Sequence, residues 1–81
     1  MVTYAQTLRA FENLKIVLND AGLTMAHVIK CNVYLTNMAA FPAMNAAYQM
    51  CFTSPFPART TVAVAGLPLG AAVEIEIIAK R

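Results

Sequence analysis

Two apolar, alternating segments near the C-terminal end constrain the fold of this chain more than any other feature. Residues 59–65 and 73–79 both alternate with the period of two that a β-strand requires. Both segments also carry charge, because Arg59 opens the first while Glu74 and Glu76 lie in the second. A charge inside an apolar run is costly to bury without a partner. Arg59 and Glu74 are therefore the first candidates for a functional site.

The N-terminal segment predicts a helix. Thr3 followed three residues later by Gln6 matches a capping box, and Gly22 is the residue type that most often ends a helix in the left-handed conformation. Spacings of three and four define one apolar face, which consists of Leu8, Phe11, Leu14, Val17, Leu18 and Ala21. We expect this face to pack against the rest of the domain.

Residues 26–36 alternate and predict a further strand. Its apolar face, which we expect to pack against the helices, consists of Ile29, Cys31, Val33 and Leu35. The opposite, mixed face consists of Val28, Lys30, Asn32, Tyr34 and Thr36. We expect another subunit to cover part of this mixed face.

A second helix follows. Asn37 suits a cap and Pro42 suits a first helical position. An apolar stripe consists of Phe41, Met44, Tyr48, Cys51 and Phe52. A helix between two strands implies a parallel pair joined by a right-handed crossover. The element order helix-strand-helix-strand-strand predicts one α+β domain over residues 1–81, with a mixed sheet packed on two helices.

Composition limits the classes of partner. Hydrophobic residues make up 59% of the 81 residues and charged residues 12%, which is more apolar surface than so small a core can bury, so we expect neighbouring subunits to cover part of it. The six basic residues are scattered, which argues against a nucleic-acid groove or an anionic membrane partner.

No apolar run reaches the ~18 residues of a membrane span and no secretory leader is visible, so we expect a cytoplasmic protein. Cys31 and Cys51 are expected to be reduced, and a single histidine predicts no metal site.

At this point the residues carry a family resemblance. The strings are Asn45-Ala46-Ala47-Tyr48, Phe56-Pro57-Ala58-Arg59-Thr60, Leu67-Pro68 and Val73-Glu74-Ile75-Glu76-Ile77-Ile78-Ala79. They resemble the RidA/YjgF/YER057c/UK114 family of reactive-intermediate deaminases over nearly the whole chain. The resemblance implies a chorismate-mutase-like α+β fold that assembles as a homotrimer with active sites between subunits. It also implies hydrolysis of 2-imino acids such as 2-iminobutanoate and 2-iminopropanoate to 2-oxo acids and ammonia, without a cofactor.

The resemblance also implies roles for particular residues. Arg59 corresponds to the arginine that binds the substrate carboxylate, and Glu74 to the glutamate that positions the attacking water. Thr60 and Thr61 correspond to pocket-lining positions beside the arginine. The chemistry agrees, because a guanidinium makes two parallel bonds to a carboxylate and a carboxylate can accept a proton from water. Glu76 is expected to be structural or interfacial, and Asn45 to bond the backbone.

The front of the sequence departs from the family pattern. Members begin with extra strands that carry a Gly-Pro-Tyr-Ser-Gln-type segment, whereas this sequence starts just before the first helix. We therefore expect the chain to match the C-terminal portion of the family domain, without its N-terminal strands and with residues 73–79 at an apolar sheet edge. The alternative function is a catalytically silent module that binds small molecules or a partner. A ribonuclease or translation inhibitor has less support, because no basic groove is visible.

Overall fold

A computed structural model describes residues 2–81 and shows two helices and three strands in that part of the chain. The main elements are α1 (Val2–Asp20), β1 (Val28–Leu35), α2 (Phe41–Cys51), β2 (Ala58–Ala63) and β3 (Val73–Ala79). Three short 3-10 helices connect them, at Met25–His27, Met38–Ala40 and Pro68–Gly70. The predicted order of helices and strands is confirmed. Neither helix is long and apolar enough to cross a membrane.

The three strands form one sheet in the order β2-β1-β3. β1 pairs in parallel with β2, as predicted, and antiparallel with β3. Cys31 in the central strand lies opposite Arg59 on one side and Ile77 on the other. Because directly paired residues point to the same side of a sheet, this register defines which side chains of the three strands share a face.

Both helices pack on one side of the sheet, which we call the covered face. Its central residues Cys31, Val33 and Leu35 are fully buried. We call the opposite side the open face. Its side chains come from all three strands and are Lys30, Asn32, Tyr34, Ala58, Thr60, Val62, Glu74, Glu76 and Ile78, all partly or largely exposed.

An aromatic cluster joins the helices above the covered face. The ring of Phe11 lies edge-on to those of Tyr48 and Phe52, with centroids 6.0 Å and 5.3 Å away. Met44 is fully buried in the same core. Edge-to-face packing adds to the free energy gained by burying these rings. The core of this small domain therefore depends on contacts between α1 and α2 as much as on the sheet.

The end of α1 follows the sequence prediction. Gly22 has a φ of 76°, and the N–H of Leu23 donates to the carbonyl of Leu18 while that of Gly22 donates to Asn19. These two bonds form a Schellman motif, in which a left-handed glycine satisfies carbonyls at the helix end.

The predicted capping box at the start of α1 is wrong. Thr3 lies inside the helix and is buried, and its carbonyl accepts a hydrogen bond from the Thr7 hydroxyl. The side-chain oxygen of Gln6 accepts from the backbone N–H of Ala72, 2.8 Å away. Packing against the segment before β3 therefore outweighs the local capping preference. Val17, predicted on the buried face, is 64% exposed.

A shift of register changes the start of β1. The pairing of β1 with β3 is irregular between Val28 and Lys30. As a result Val28 is buried while Ile29 is 51% exposed, which reverses the prediction for these two residues. An extra residue in one strand of an antiparallel pair has this effect, because it interrupts the alternation of faces. From Cys31 onward the predicted apolar face is confirmed.

The entry to α2 is as expected. Asn37 accepts a hydrogen bond from the backbone N–H of Ala39, and Pro42 lies in the first turn of the helix. β2 is shorter than predicted, since it begins at Ala58 and ends at Ala63. The chain continues beside β1 for one more bond, from the N–H of Val64 to the carbonyl of Leu35.

Candidate functional site

Arg59 is the second residue of β2 and its side chain lies on the covered face. It is opposite Cys31 in the parallel ladder and is partly buried under α2. A charged side chain in this position is unusual, because the rest of the covered face is apolar. The side chains around the Arg59 guanidinium must therefore offset the free-energy cost of burying its charge.

Three side chains of α2 surround the Arg59 guanidinium. Its Nη1 donates a hydrogen bond to the Oδ1 of Asn45, 2.6 Å away. Its Cζ lies 4.6 Å from the ring centroid of Tyr48 and 5.2 Å from that of Phe41, both within range of cation–π attraction. We call Phe41, Asn45 and Tyr48 the arginine clamp. Sequence reasoning missed this role of Asn45, which was expected to bond the backbone.

The signal for the clamp was present in the sequence. Phe41, Asn45 and Tyr48 are spaced by four and three residues, which places them on the same side of a helix. The predicted apolar stripe of α2 includes Phe41 and Tyr48 but not Asn45. A polar residue at this spacing beside the stripe indicates that this side of the helix also faces a polar or charged group.

An open cleft of about 340 Å³ lies beside the guanidinium. Its walls are formed by Arg59, the clamp residues Asn45 and Tyr48, and the neighbouring Gln49, Phe56 and Pro57. The cleft combines one cation with aromatic and amide groups, a composition suited to a small organic anion.

The four predicted site residues lie on two different faces. Thr61 lies on the covered face with Arg59, whereas Thr60 and Glu74 lie on the open face. The Thr60 hydroxyl accepts a hydrogen bond from the Nζ of Lys30, 2.5 Å away. The structure therefore brings Arg59 and Thr61 together on one side of the sheet. It does not bring Arg59 and Glu74 together within one chain.

Glu74 and Glu76 are neighbours on the open face of β3, but only Glu76 makes side-chain hydrogen bonds within residues 2–81. The Oε1 of Glu76 accepts from the hydroxyl of Tyr34 at 2.7 Å and from the Nδ2 of Asn32 at 3.3 Å. The hydrogen bond between the Tyr34 hydroxyl and Glu76 raises the pKa of Tyr34. The Glu74 carboxylate is exposed and free to interact with a group from outside the chain.

Two buried hydroxyls lie on the covered face near Arg59. Within the described part of the chain, neither the Tyr48 hydroxyl nor the Thr61 hydroxyl has a hydrogen-bond partner of normal geometry. Burial raises the pKa of Tyr48 to about 12. Burial also raises the pKa of the Cys31 thiol beside it. Tyr48 and Cys31 are therefore neutral at physiological pH, and Arg59 supplies the positive charge of the site.

A second cleft, of about 330 Å³, lies where the end of α2 meets the start of β1. Lys15, Met25 and Cys51 are among its lining residues, and it contains none of the four predicted site residues. Cys31 and Cys51 are both free, as predicted. Residues 2–81 hold no group of three His, Cys, Asp or Glu side chains that could bind a metal ion.

Comparison with known proteins adds a family match. The family model described as Endoribonuclease L-PSP matches residues 2–81. A protein of Dermatophagoides farinae named 2-iminobutanoate/2-iminopropanoate deaminase is 49% identical over 70 residues, which cover 86% of this chain and 55% of the relative. The chain therefore spans little more than half the length of that curated relative.

Solved structures agree with the sequence match. RidA from the Antarctic bacterium Psychrobacter sp. PAMC 21119 superimposes with a TM-score of 0.91 and 41% identity, over 94% of this chain and 62% of that protein. Escherichia coli TdcF, solved with bound serine, gives a TM-score of 0.92 and 34% identity over 96% of this chain and 64% of TdcF. The predicted RidA-type α+β fold is confirmed.

Proposed function

The chain belongs to the Endoribonuclease L-PSP family, the family of the RidA/YjgF proteins, and from this membership we propose that it hydrolyses 2-imino acids. The proposed substrates are 2-iminobutanoate and 2-iminopropanoate, and the products are the 2-oxo acid and ammonia. The observation that carries the proposal is Arg59, a partly buried cation that opens on a cleft and has no ion-pair partner within residues 2–81.

Arg59 is proposed to bind the substrate carboxylate. A guanidinium has five N–H donors in a planar fork, and a carboxylate can accept two of them in parallel. Such a bidentate contact fixes the adjacent imine carbon relative to the protein. Thr61 lies two residues further along the same face, but its hydroxyl is buried and it is not among the residues that line the cleft. The name of the Dermatophagoides farinae relative supports this substrate class.

Glu74 is proposed to orient the attacking water and to accept its proton. The water oxygen forms a bond to the imine carbon while the carbon–nitrogen double bond becomes single, and Glu74 passes the proton it accepts from the water to the nitrogen. The same carboxylate then takes the remaining hydroxyl proton and gives it to the amino group, so that ammonia leaves as the carbon–oxygen double bond forms. The net reaction adds one water and releases one ammonia, and it requires no oxidant, reductant or cofactor.

The site is proposed to form between two copies of the chain. Arg59 and Glu74 lie on opposite faces of the sheet and on strands separated by β1, so they cannot act on one substrate molecule within one chain. We propose that the Glu74 of one copy faces the Arg59 cleft of another, in a homotrimer with Thr60 near the shared boundary. A cytoplasmic location is part of the proposal.

A second candidate is a silent module that binds carboxylates without hydrolysing imines. The separation of Arg59 from Glu74 favours it, because one copy alone has the carboxylate-binding group but lacks the water-orienting group on the same face. Ribonuclease activity, suggested by the name of the family model, is not proposed, because the basic residues are scattered along the chain.

The test is a coupled assay in which a dehydratase generates 2-iminobutanoate and semicarbazide traps what is not hydrolysed. The chain is expected to lower the amount of trapped product. Arg59→Ala and Glu74→Gln are each expected to abolish this effect, while Arg9→Ala, which removes an exposed arginine of α1, is expected to retain it.

Mixing the two inactive variants distinguishes a shared site from a site within one chain. In assemblies refolded from equal amounts of Arg59→Ala and Glu74→Gln, roughly a quarter of shared sites combine both intact residues, so about a quarter of the activity is expected to return. No recovery from a well-assembled mixture would overturn the shared site. Carboxylate binding without hydrolysis by the original chain would instead support the silent module.

A further inference from the structure

The arginine clamp consists entirely of neutral side chains. Asn45 contributes an amide oxygen at 2.6 Å from Nη1, and Phe41 and Tyr48 contribute ring faces. The Tyr48 side chain is 3% exposed, so its ring is fixed in the core beneath the guanidinium. Partly buried arginines are more commonly paired with a carboxylate, because that pairing offsets the cost of removing a charge from water.

The acidic residues of the chain are located away from Arg59. Glu12 and Asp20 lie on exposed positions of α1, and Glu74 and Glu76 lie on the open face of β3. No ion pair to Arg59 is present within residues 2–81. The guanidinium is therefore held in place while its charge remains uncompensated.

Holding an arginine with neutral groups has a specific consequence for binding. A carboxylate in the clamp would occupy the guanidinium fork and cancel its charge, so that a ligand carboxylate would have to displace it. The amide of Asn45 instead uses one of five N–H donors, and the rings attract the cation through their quadrupoles. The remaining donors stay available to the cleft.

We propose that Asn45 and Tyr48 are positioning residues, which fix the direction of the Arg59 guanidinium through neutral contacts and leave its charge for a ligand carboxylate. The identity of the ligand as a 2-imino or 2-oxo acid rests on the proposed function. The positioning itself rests on the contacts of Arg59 alone. It predicts that introducing a carboxylate at position 45 is worse for binding than removing the amide.

The first test compares Asn45→Asp with Asn45→Ala, using 2-oxobutanoate as the probe in an NMR titration. Asn45→Ala is expected to weaken binding about threefold, since one orienting hydrogen bond is lost. Asn45→Asp is expected to weaken it by about tenfold or more, since its carboxylate competes for the fork. Asn13→Asp adds the same charge on the exposed side of α1 and is expected to change affinity by less than about twofold.

The order of these two losses decides the role of Asn45. If Asn45 only stabilised the fold, Asn45→Asp would be the milder change, because an ion pair would hold Arg59 at least as firmly. Binding by Asn45→Asp that equals or exceeds binding by Asn45→Ala would therefore overturn the proposal.

The second test separates the ring of Tyr48 from its hydroxyl. Tyr48→Phe keeps the ring beneath Arg59 and is expected to retain affinity within about twofold, whereas Tyr48→Leu removes it and is expected to lose about fivefold. The Nε–H signal of Arg59 gives a readout that needs no ligand. The ring-current shift caused by the aromatic ring at position 48 is expected to persist in Tyr48→Phe and to disappear in Tyr48→Leu. An unchanged Arg59 signal in Tyr48→Leu would contradict the contact between the ring and the guanidinium.

These measurements distinguish a failure of the positioning role of Asn45 and Tyr48 from a failure of the proposed deaminase activity. If the arginine signal and the order of affinities behave as expected while imine hydrolysis is absent, the positioning stands and the deaminase proposal fails. If hydrolysis occurs but the signal of Arg59 does not respond to Asn45→Ala or Tyr48→Leu, the deaminase proposal stands and the positioning is wrong. For each active variant, a rise in KM at unchanged kcat is expected, because positioning acts on carboxylate binding.

Discussion

The covered and open faces of the sheet differ in where their polar side chains find hydrogen-bond partners. On the open face, polar side chains pair with one another across strands, as Lys30 does with Thr60 and Tyr34 with Glu76. On the covered face Arg59 is the one charged strand residue in the described part of the chain, and its partners come from a helix. Cross-strand pairing suffices where water is near, but burial requires partners arranged by tertiary packing.

The same comparison separates contributions to stability from contributions to assembly. The covered face buries its central aliphatic side chains completely, and this apolar burial is the main free-energy gain of folding. The open face leaves Ile78 54% and Val62 40% exposed beside its polar pairs. We therefore expect substitutions of apolar residues on the covered side to change the free energy of unfolding, and substitutions on the open face to change assembly. Arg59 is the exception on the covered side, because its proposed role is to bind substrate.

The largest expected effect is that of Phe11→Ala, which removes the ring that packs on Tyr48 and Phe52 above the covered face. The expected loss in the free energy of unfolding is about 3–5 kcal/mol. Urea denaturation measures it, and Ile16→Ala, at a 60% exposed position of the same helix, is expected to cost less than about 1 kcal/mol.

A loss of that size can leave a small domain unfolded. Phe11→Leu is therefore measured as well, because it is a milder change that keeps the site apolar. Its loss in the free energy of unfolding is expected to fall between those of Phe11→Ala and Ile16→Ala. Equal losses for Phe11→Leu and Ile16→Ala would show that the aromatic cluster does not carry the stability of the covered side.

An intermediate effect is expected from alkaline pH acting on Tyr48. Burial raises its pKa in the folded chain from the ordinary tyrosine value of 10 to about 12. Because the folded chain holds this proton more tightly, its contribution to stability is complete below about pH 10 and is lost as pH rises toward 12. Tyr48→Phe is expected to reduce the difference in unfolding free energy between pH 8 and pH 11.

The smallest effect on folding is expected from Tyr34→Phe, which removes the hydroxyl that donates to Glu76 on the open face. Water can replace this exposed bond in a single copy, so the change in unfolding free energy is expected to be smaller than for either covered-side variant. Unfolding is measured at two protein concentrations. A loss that grows with concentration would indicate that another copy covers the open face, and a large loss at both would break the contrast between the faces.

Much of the fold followed from local patterns. The alternation of residues 73–79, Gly22 at the end of α1 and Asn37 before α2 all act within a few residues, so the sequence alone was sufficient to place them. The capping box expected from Thr3 and Gln6 does not form, because a distant segment, at Ala72, competes for the Gln6 side chain.

The position of Arg59 shows what local patterns cannot supply. Alternation assigns Arg59 and Thr61 to one face of β2 and Thr60 to the other, but both sets mix polar and apolar residues. The period of two therefore does not tell which set faces the helices. In β3 the choice was clear, because one face is apolar and the other carries Glu74 and Glu76.

The sequence by itself determined the order of elements, the apolar face of β3 and the family resemblance, because these depend on residue types and spacings along the chain and not on how the segments pack. Only the tertiary structure decided that Arg59 and Glu74 lie on opposite faces, because that depends on the register of β2 and β3 against β1. It also decided that Asn45 and Tyr48 hold the guanidinium, because the docking of α2 brings an amide and a ring to a charge that is expensive to bury alone.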